Sequence, residues 1–161
     1  MEARAHKVHV VFEEIRDSGG QPTIKSVAFI DDGSGMFPEM ARYALTWGGG
    51  THYDDPTFIG RFGFGLPNAS INQTQTVEVY TRTSPDQKIV KAWLDIRKAP
   101  EHGLQQIPAP VEAELRAFVS RYLEKIVWKF ERGTVVVWQN AKGILIHKGL
   151  QLRKQNSGGS E

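Results

Sequence analysis

Two pairs of short apolar segments, each joined by a tight turn, constrain this chain more than any other feature. Val8, Val10 and Phe12 alternate with Lys7, His9 and Glu13, the period of two that a half-buried strand needs. Asp17, Ser18, Gly19 and Gly20 form a turn, and a second strand follows from Thr23 to Ile30 through Val27, Ala28 and Phe29. Val77 and Val79 begin another strand, Ser84, Pro85 and Asp86 turn the chain, and Ile89 to Ile96 returns. Hairpins of this kind favour an antiparallel sheet.

Helical patterns fall between these strands. Pro38 suits a first helical turn, and a short helix is predicted from Pro38 to Leu45. A second short helix runs through Pro67, Ala69 and Ile71. A long amphipathic helix is predicted over Val111–Phe130, with Leu115, Phe118, Val119, Tyr122, Leu123, Ile126 and Val127 at helical spacing. Gly133 ends it, and Thr134–Trp138 is a last strand. The expected fold is therefore α/β in the α+β sense: a two-layer sandwich of a mostly antiparallel sheet with the helices together on one face.

With 161 residues the chain can bury one core, and 40% hydrophobic with 24% charged residues is ordinary for a globular protein. Residues 1–150 are expected to form one domain. Residues 151–161, with Asn156, Ser157, Gly158, Gly159 and Ser160, read as a flexible tail or the start of a linker. A net charge of +2 does not point to nucleic acid as an obligatory partner. The absence of cysteine rules out disulfides and thiolate metal sites. The polar start, Met1 to His6, does not read as a signal peptide, and no apolar run approaches the length of a membrane span. No membrane partner and a cytoplasmic location are expected. The five histidines have no metal-ligand spacing.

Chemistry concentrates in two glycine clusters. Asp31 ends an apolar strand and opens Asp31-Asp32-Gly33-Ser34-Gly35-Met36; Gly60-Arg61-Phe62-Gly63-Phe64-Gly65-Leu66 precedes a helix. Glycines let the backbone take conformations closed to other residues and let a ligand come close. Helix N-termini suit phosphate. Between the clusters, Trp47 to Phe58 has no periodicity, carries Gly48, Gly49 and Gly50 in a row, and reads as a lid or binding loop. A carboxylate at Asp31, partly buried, would need donors such as an exocyclic amine.

The first cluster resembles the Asp-x-Gly-x-Gly box of the GHKL ATPases, the gyrase, heat-shock-chaperone, histidine-kinase and MutL class with the Bergerat fold. The second resembles that family's second glycine box, and Gly133-Thr134 its Gly-Thr box. All three stand in the family's order, and the variant is most similar to the MutL, MORC and chaperone branches. The resemblance implies ATP and ADP as ligands, with magnesium. Asp31 would accept a hydrogen bond from the adenine amine within the box that includes Gly33, Gly35 and Met36. Gly35 would let the base approach the backbone. Thr134 would reach adenine through water, with Asp31. Phe62 lies at the head of the phosphate cradle, where Gly63, Phe64, Gly65 and Leu66 would offer N–H groups. Gly60 and Arg61 would lie at the hinge of the lid, Arg61 near a phosphate. The resemblance also implies lid closure, ATP-dependent dimerisation and further domains as partners.

One departure matters. The family carries a helix before the first strand that supplies a water-activating glutamate and a magnesium-binding asparagine. Glu2-Ala3-Arg4-Ala5 resembles the closing sequence of that helix. Both residues would then fall before Met1, and the chain as given is expected to hydrolyse ATP poorly. The alternative is a non-catalytic interaction domain that keeps the fold without nucleotide, in which Asp31, Gly63 and Gly65 only make turns.

Overall fold

The computed structural model describes residues 4–46, 66, 69–70, 73–95, 97 and 107–141. Strands β1 (Val8–Arg16) and β2 (Pro22–Asp31) form the expected first hairpin. Its turn is built by Asp17, whose Oδ1 accepts the amides of Gly19 and Gln21, both at 2.9 Å, while Gly20 takes a left-handed φ of 78°. Strands β3 (Thr76–Arg82) and β4 (Val90–Asp95) form the second hairpin, and β6 (Gly133–Gln139) is the last strand among the described residues. With β5 (Val111–Glu112) the sheet is six-stranded, in the order β1-β2-β6-β3-β4-β5, and every pairing is antiparallel. The α+β class is as expected.

The helices differ from expectation. Helix α1 (Pro38–Tyr43) starts on Pro38 as predicted, and Leu66, Ala69 and Ser70 are helical. The long helix over Val111–Phe130 is instead β5 followed by a shorter α2 (Ala117–Lys125). Pro108 and Pro110 hold the approach extended, and β-branched Val111 then covers the edge of β4, opposite Lys91. A salt bridge of 2.6 Å from Lys88 to Glu112 accompanies this pairing.

The two helices also lie on opposite faces of the sheet rather than together on one. Val135 and Val137 of β6 share a cluster with Phe118, Val119 and Leu123 of α2, together with Ala28, Ile30 and Tyr80. Val136 and Trp138, on the other side of the same strand, pack with the cluster of Ala41 and Leu45, Val77 and Val79, Ala92 and Leu94. A strand apolar at each position from Val135 to Trp138 must be covered on both sides.

The same arrangement reverses β1. Val11, which faces α2, is its buried residue, whereas Val8 and Val10, expected to turn inward, are 65% and 48% exposed. His9 shares the α2 face, with Nδ1 2.7 Å from the Tyr122 hydroxyl and its ring against Trp128.

Helix α2 is fastened at its start by a buried carboxylate. Glu78 on β3 accepts two bonds from the Arg116 guanidinium, at 2.7 and 2.8 Å, and one from the Tyr80 hydroxyl at 2.8 Å. Burial pushes the Glu78 carboxyl up, but the bonds from Arg116 and Tyr80 outweigh it and hold the group below its usual range. Desolvation, reinforced by the Glu78 charge, raises the Tyr80 hydroxyl.

The other end of α2 is strained. The Trp128 amide donates to the Leu123 carbonyl at 2.9 Å and the Val127 amide to Glu124 at 3.0 Å, the hydrogen-bond pair of a Schellman cap. The left-handed position of such a cap is ordinarily glycine, yet here it is Val127, with φ 53° and 92% exposed. Left-handed φ costs a β-branched residue about 1–2 kcal/mol, while glycine costs about 0.5–1 kcal/mol in the unfolded chain. Val127→Gly is therefore expected to raise stability by roughly 0.5–1 kcal/mol, read as a higher urea midpoint. A lower midpoint would mean that the valine side chain contributes packing that its exposure denies.

Candidate functional site

Asp31, Thr134 and Thr81 form one row across the sheet. Asp31 is paired with Thr134 and Thr134 with Thr81, on adjacent strands β2, β6 and β3. Directly opposite residues of an antiparallel ladder point to the same face. That face is the one α1 covers, since Val136, Val77 and Val79 alternate with it correctly along β6 and β3.

Asp31 Oδ1 accepts the Gly33 amide at 2.9 Å and the Thr134 amide at 3.3 Å. Among the described residues nothing bonds to its Oδ2. Burial raises the Asp31 carboxyl above its ordinary pKa, against the two backbone amides, and the neighbouring Asp32 adds to the rise. Asp31 is thus a half-buried carboxylate with one oxygen committed and one left to accept.

Asp32 has a different task. Its Oδ1 accepts the amides of His6 and Lys7 at 2.7 and 2.9 Å, clamping the chain that enters β1. Those backbone bonds, Lys7 first, hold its carboxyl below the usual range.

Two glycines are required by backbone contact. Gly35 has φ 69°, and a Cβ there would lie 2.0 Å from the Arg82 carbonyl oxygen. Gly133 has φ 129°, and its Cβ would lie 2.1 Å from the Asp31 carbonyl oxygen. Gly133 lets the start of β6 press against the end of β2, and Gly35 lets the turn after β2 press against the end of β3 rather than face open space.

Met36 packs in the α1-side cluster together with Leu66, the one member of the second glycine box that is described. The adjoining Ser70 is buried and accepts the Trp138 indole N–H at 2.9 Å, tying this segment to β6. The structure therefore gathers Asp31, Gly33, Gly35, Met36 and Thr134 at one end of the sheet and puts Leu66 on the same face. Gly60, Arg61, Phe62, Gly63, Phe64 and Gly65, and the loop Trp47–Phe58, lie outside the described residues, as do residues 142–161.

Thr81 was not singled out in the sequence. It is fully buried, donates to the Gly133 carbonyl at 2.9 Å and accepts the Met36 amide at 2.8 Å. Its signal is a hydroxyl at the alternate position that Val77 and Val79 make apolar.

A cleft of about 550 Å³, lined among others by Arg82, Lys88, Glu112, Leu115 and Ser120, opens on the α2 face, away from Asp31. Among the described residues no three acidic or histidine side chains cluster to hold a metal ion. No helix among them is long and apolar enough to cross a membrane.

The half-buried Asp31, the turn of Gly33 and Gly35 and the Gly133-Thr134 strand start thus meet at one end of an antiparallel sheet. The chain belongs to the family of histidine kinase-, DNA gyrase B- and HSP90-like ATPases, whose model matches residues 1–134. Among solved structures, 99 chains are similar to it. One is described as the N-terminal domain of a DNA repair protein, with 18% identity and a TM-score of 0.48; the match covers 96% of this chain and 34% of that one. The chain thus spans about a third of that structure's length. No curated protein matches.

Proposed function

We propose that this chain is the ATP-binding module of a GHKL-type ATPase, of the branch that includes MutL, MORC and the chaperones. The observation that carries the reading is Asp31: a half-buried carboxylate with Oδ1 held by two backbone amides and Oδ2 left as an acceptor. An exocyclic amine such as that of adenine complements that oxygen. Gly33 and Thr134, whose amides hold Asp31, and Gly35 and Met36 at the same end of the sheet are the base-side residues of the proposal. Gly60, Arg61, Phe62, Gly63, Phe64, Gly65 and Leu66 are its phosphate side, on their motif and order. Bound magnesium would neutralise phosphate charge; no described residue is assigned to it.

In this reading residues 1–150 form the nucleotide domain, and residues 151–161 are a flexible tail or the start of a linker. Nucleotide favours a closed arrangement of the segment Trp47–Phe58, and closure biases dimerisation or domain movement. Turnover by the chain itself is expected to be slow: the matched boxes supply base and phosphate contacts, and none of their residues is a candidate to activate water.

Calorimetric titration with ATP and ADP tests the reading. Saturable binding of both nucleotides is expected, with little steady-state phosphate release. A folded chain that binds neither is the non-catalytic interaction domain instead, and Asp31 then serves only to shape its turn.

A further inference from the structure

We infer that Thr81 is a positioning residue of this site, a buried hydroxyl that sets the spacing between the Asp31–Met36 turn and the Gly133–Thr134 strand start. The inference rests on the nucleotide reading above.

A hydroxyl buried without partners is costly, so a threonine on the apolar face of β3 must have both its donor and its acceptor used. Both are used here, and by backbone groups of two different segments. The Thr81 hydroxyl donates to the Gly133 carbonyl at 2.9 Å and receives the Met36 amide at 2.8 Å. Among the described residues, this is the only hydrogen bond from residues 34–37 to the sheet.

Its consequence passes through one peptide unit. The Gly133 carbonyl that Thr81 holds belongs to the same peptide as the Thr134 amide, which donates to Asp31 Oδ1 at 3.3 Å. Fixing that carbonyl fixes the amide, and the amide orients the carboxylate that leaves Oδ2 free. On the other side, holding Met36 seats Gly35 against the Arg82 carbonyl, the contact that a Cβ would block at 2.0 Å. Thr81 itself is fully buried with both hydroxyl functions occupied, so it acts through Asp31, Gly35 and Met36 rather than by touching ligand.

The test compares Thr81→Val, which keeps the shape and loses the hydroxyl, with Thr81→Ser, which keeps the hydroxyl. Adenosine, ADP and ATP are titrated into each variant and the parent chain. Thr81→Val removes two neutral hydrogen bonds, each corresponding to about a fivefold effect, so a weakening of about five- to twenty-fivefold follows. Thr81→Val is expected to weaken all three ligands by that common factor, and Thr81→Ser to restore binding to within about twofold of the parent, on the same basis. Thr81→Val binding as the parent does, or a serine variant as weak as the valine one, overturns the inference and leaves the nucleotide reading standing. A parent chain that binds none of the three overturns the nucleotide reading and this inference with it. Amide exchange at Met36 in the parent chain keeps the test sound should Thr81→Val fail to fold. Protection equal to that of β3 in the ADP-bound chain is expected; exchange at the rate of an open loop overturns the inference.

Discussion

Asp31→Ala is expected to weaken ATP and ADP by the same factor, between about ten- and a hundredfold. A hydrogen bond to a charged group contributes roughly 1.5–3 kcal/mol, and the base it would contact is common to both nucleotides. The two backbone amides on Oδ1 aim the carboxylate, so alanine removes an oriented acceptor and leaves the amides of Gly33 and Thr134 without a partner. The pH dependence follows from the direction of the shift. Burial raises the Asp31 carboxyl in the folded chain, so its contribution to folding is complete below its unfolded pKa and is lost as pH rises through the folded one. At neutral pH Asp31 therefore works against the fold, as expected of a residue retained for a ligand. Ligand binding to the carboxylate has the opposite sense: affinity is full above the folded pKa and falls as pH drops through it. The parent chain should show that acid limb at a pH above the ordinary aspartate range, and Asp31→Ala should not. Equal nucleotide affinity in parent and variant, at matched folding, removes Asp31 from the site.

The second large effect concerns stability. Removing one partner of a buried ion pair costs about 3–5 kcal/mol when the other charge is left uncompensated. Glu78 is buried, but the Arg116 side chain is 42% exposed and Lys91 Nζ remains 3.7 Å from Glu78, so water and a second cation soften the loss. Arg116→Ala is expected to cost about 2–3 kcal/mol at pH 7. In the parent, the Glu78 carboxyl is held below its usual range. That stability is present above the unfolded pKa and is lost as pH falls through the folded one. In the variant the Arg116 bonds are gone and the hold on the carboxyl is weaker. The stability gap between the two proteins should therefore narrow as the medium falls below about pH 4, where unfolded glutamates protonate. Urea unfolding at both pH values checks this. A gap of the same size at each would assign the loss to the packing of the Arg116 stem instead of its charge.

The strands and the first box were legible because each depends on local pattern. The β1–β2 turn needs only Asp17 and Gly20, and Gly133-Thr134 can be read at the head of an apolar strand. What was not legible depends on distant partners. Val10, Val11 and Phe12 are apolar in succession, so alternation alone does not say which faces the core; α2, over a hundred residues later in the chain, selects Val11. The helical spacing over Val111–Phe130 is real, but its first two residues answer the unpaired edge of β4. Sequence marks β6 as apolar on consecutive positions without revealing that different helices cover its two sides. Thr81 escaped notice because a threonine in a strand is unremarkable until its two partners, Met36 and Gly133, are seen around it.

The place of β6 in the sheet has a consequence for how the protein is made. It is the last strand among the described residues, yet it lies between β2 and β3 and pairs Asp31 with Thr134, 103 residues apart, and Ser26 with Gln139, farther still. During synthesis the first hairpin and the β3–β4 hairpin can each form as they emerge, but they have no strand in common. Until Gly133–Gln139 leaves the ribosome, β2 and β3 each present a bare edge, and Asp31 has no Thr134 to meet. Such long-range closure is slow relative to hairpin formation and leaves apolar edges open to chaperones or to other nascent chains. Completion of the sheet and the meeting of Asp31 with Thr134 are therefore one event, and a chain interrupted before residue 133 holds two hairpins with no strand to join them.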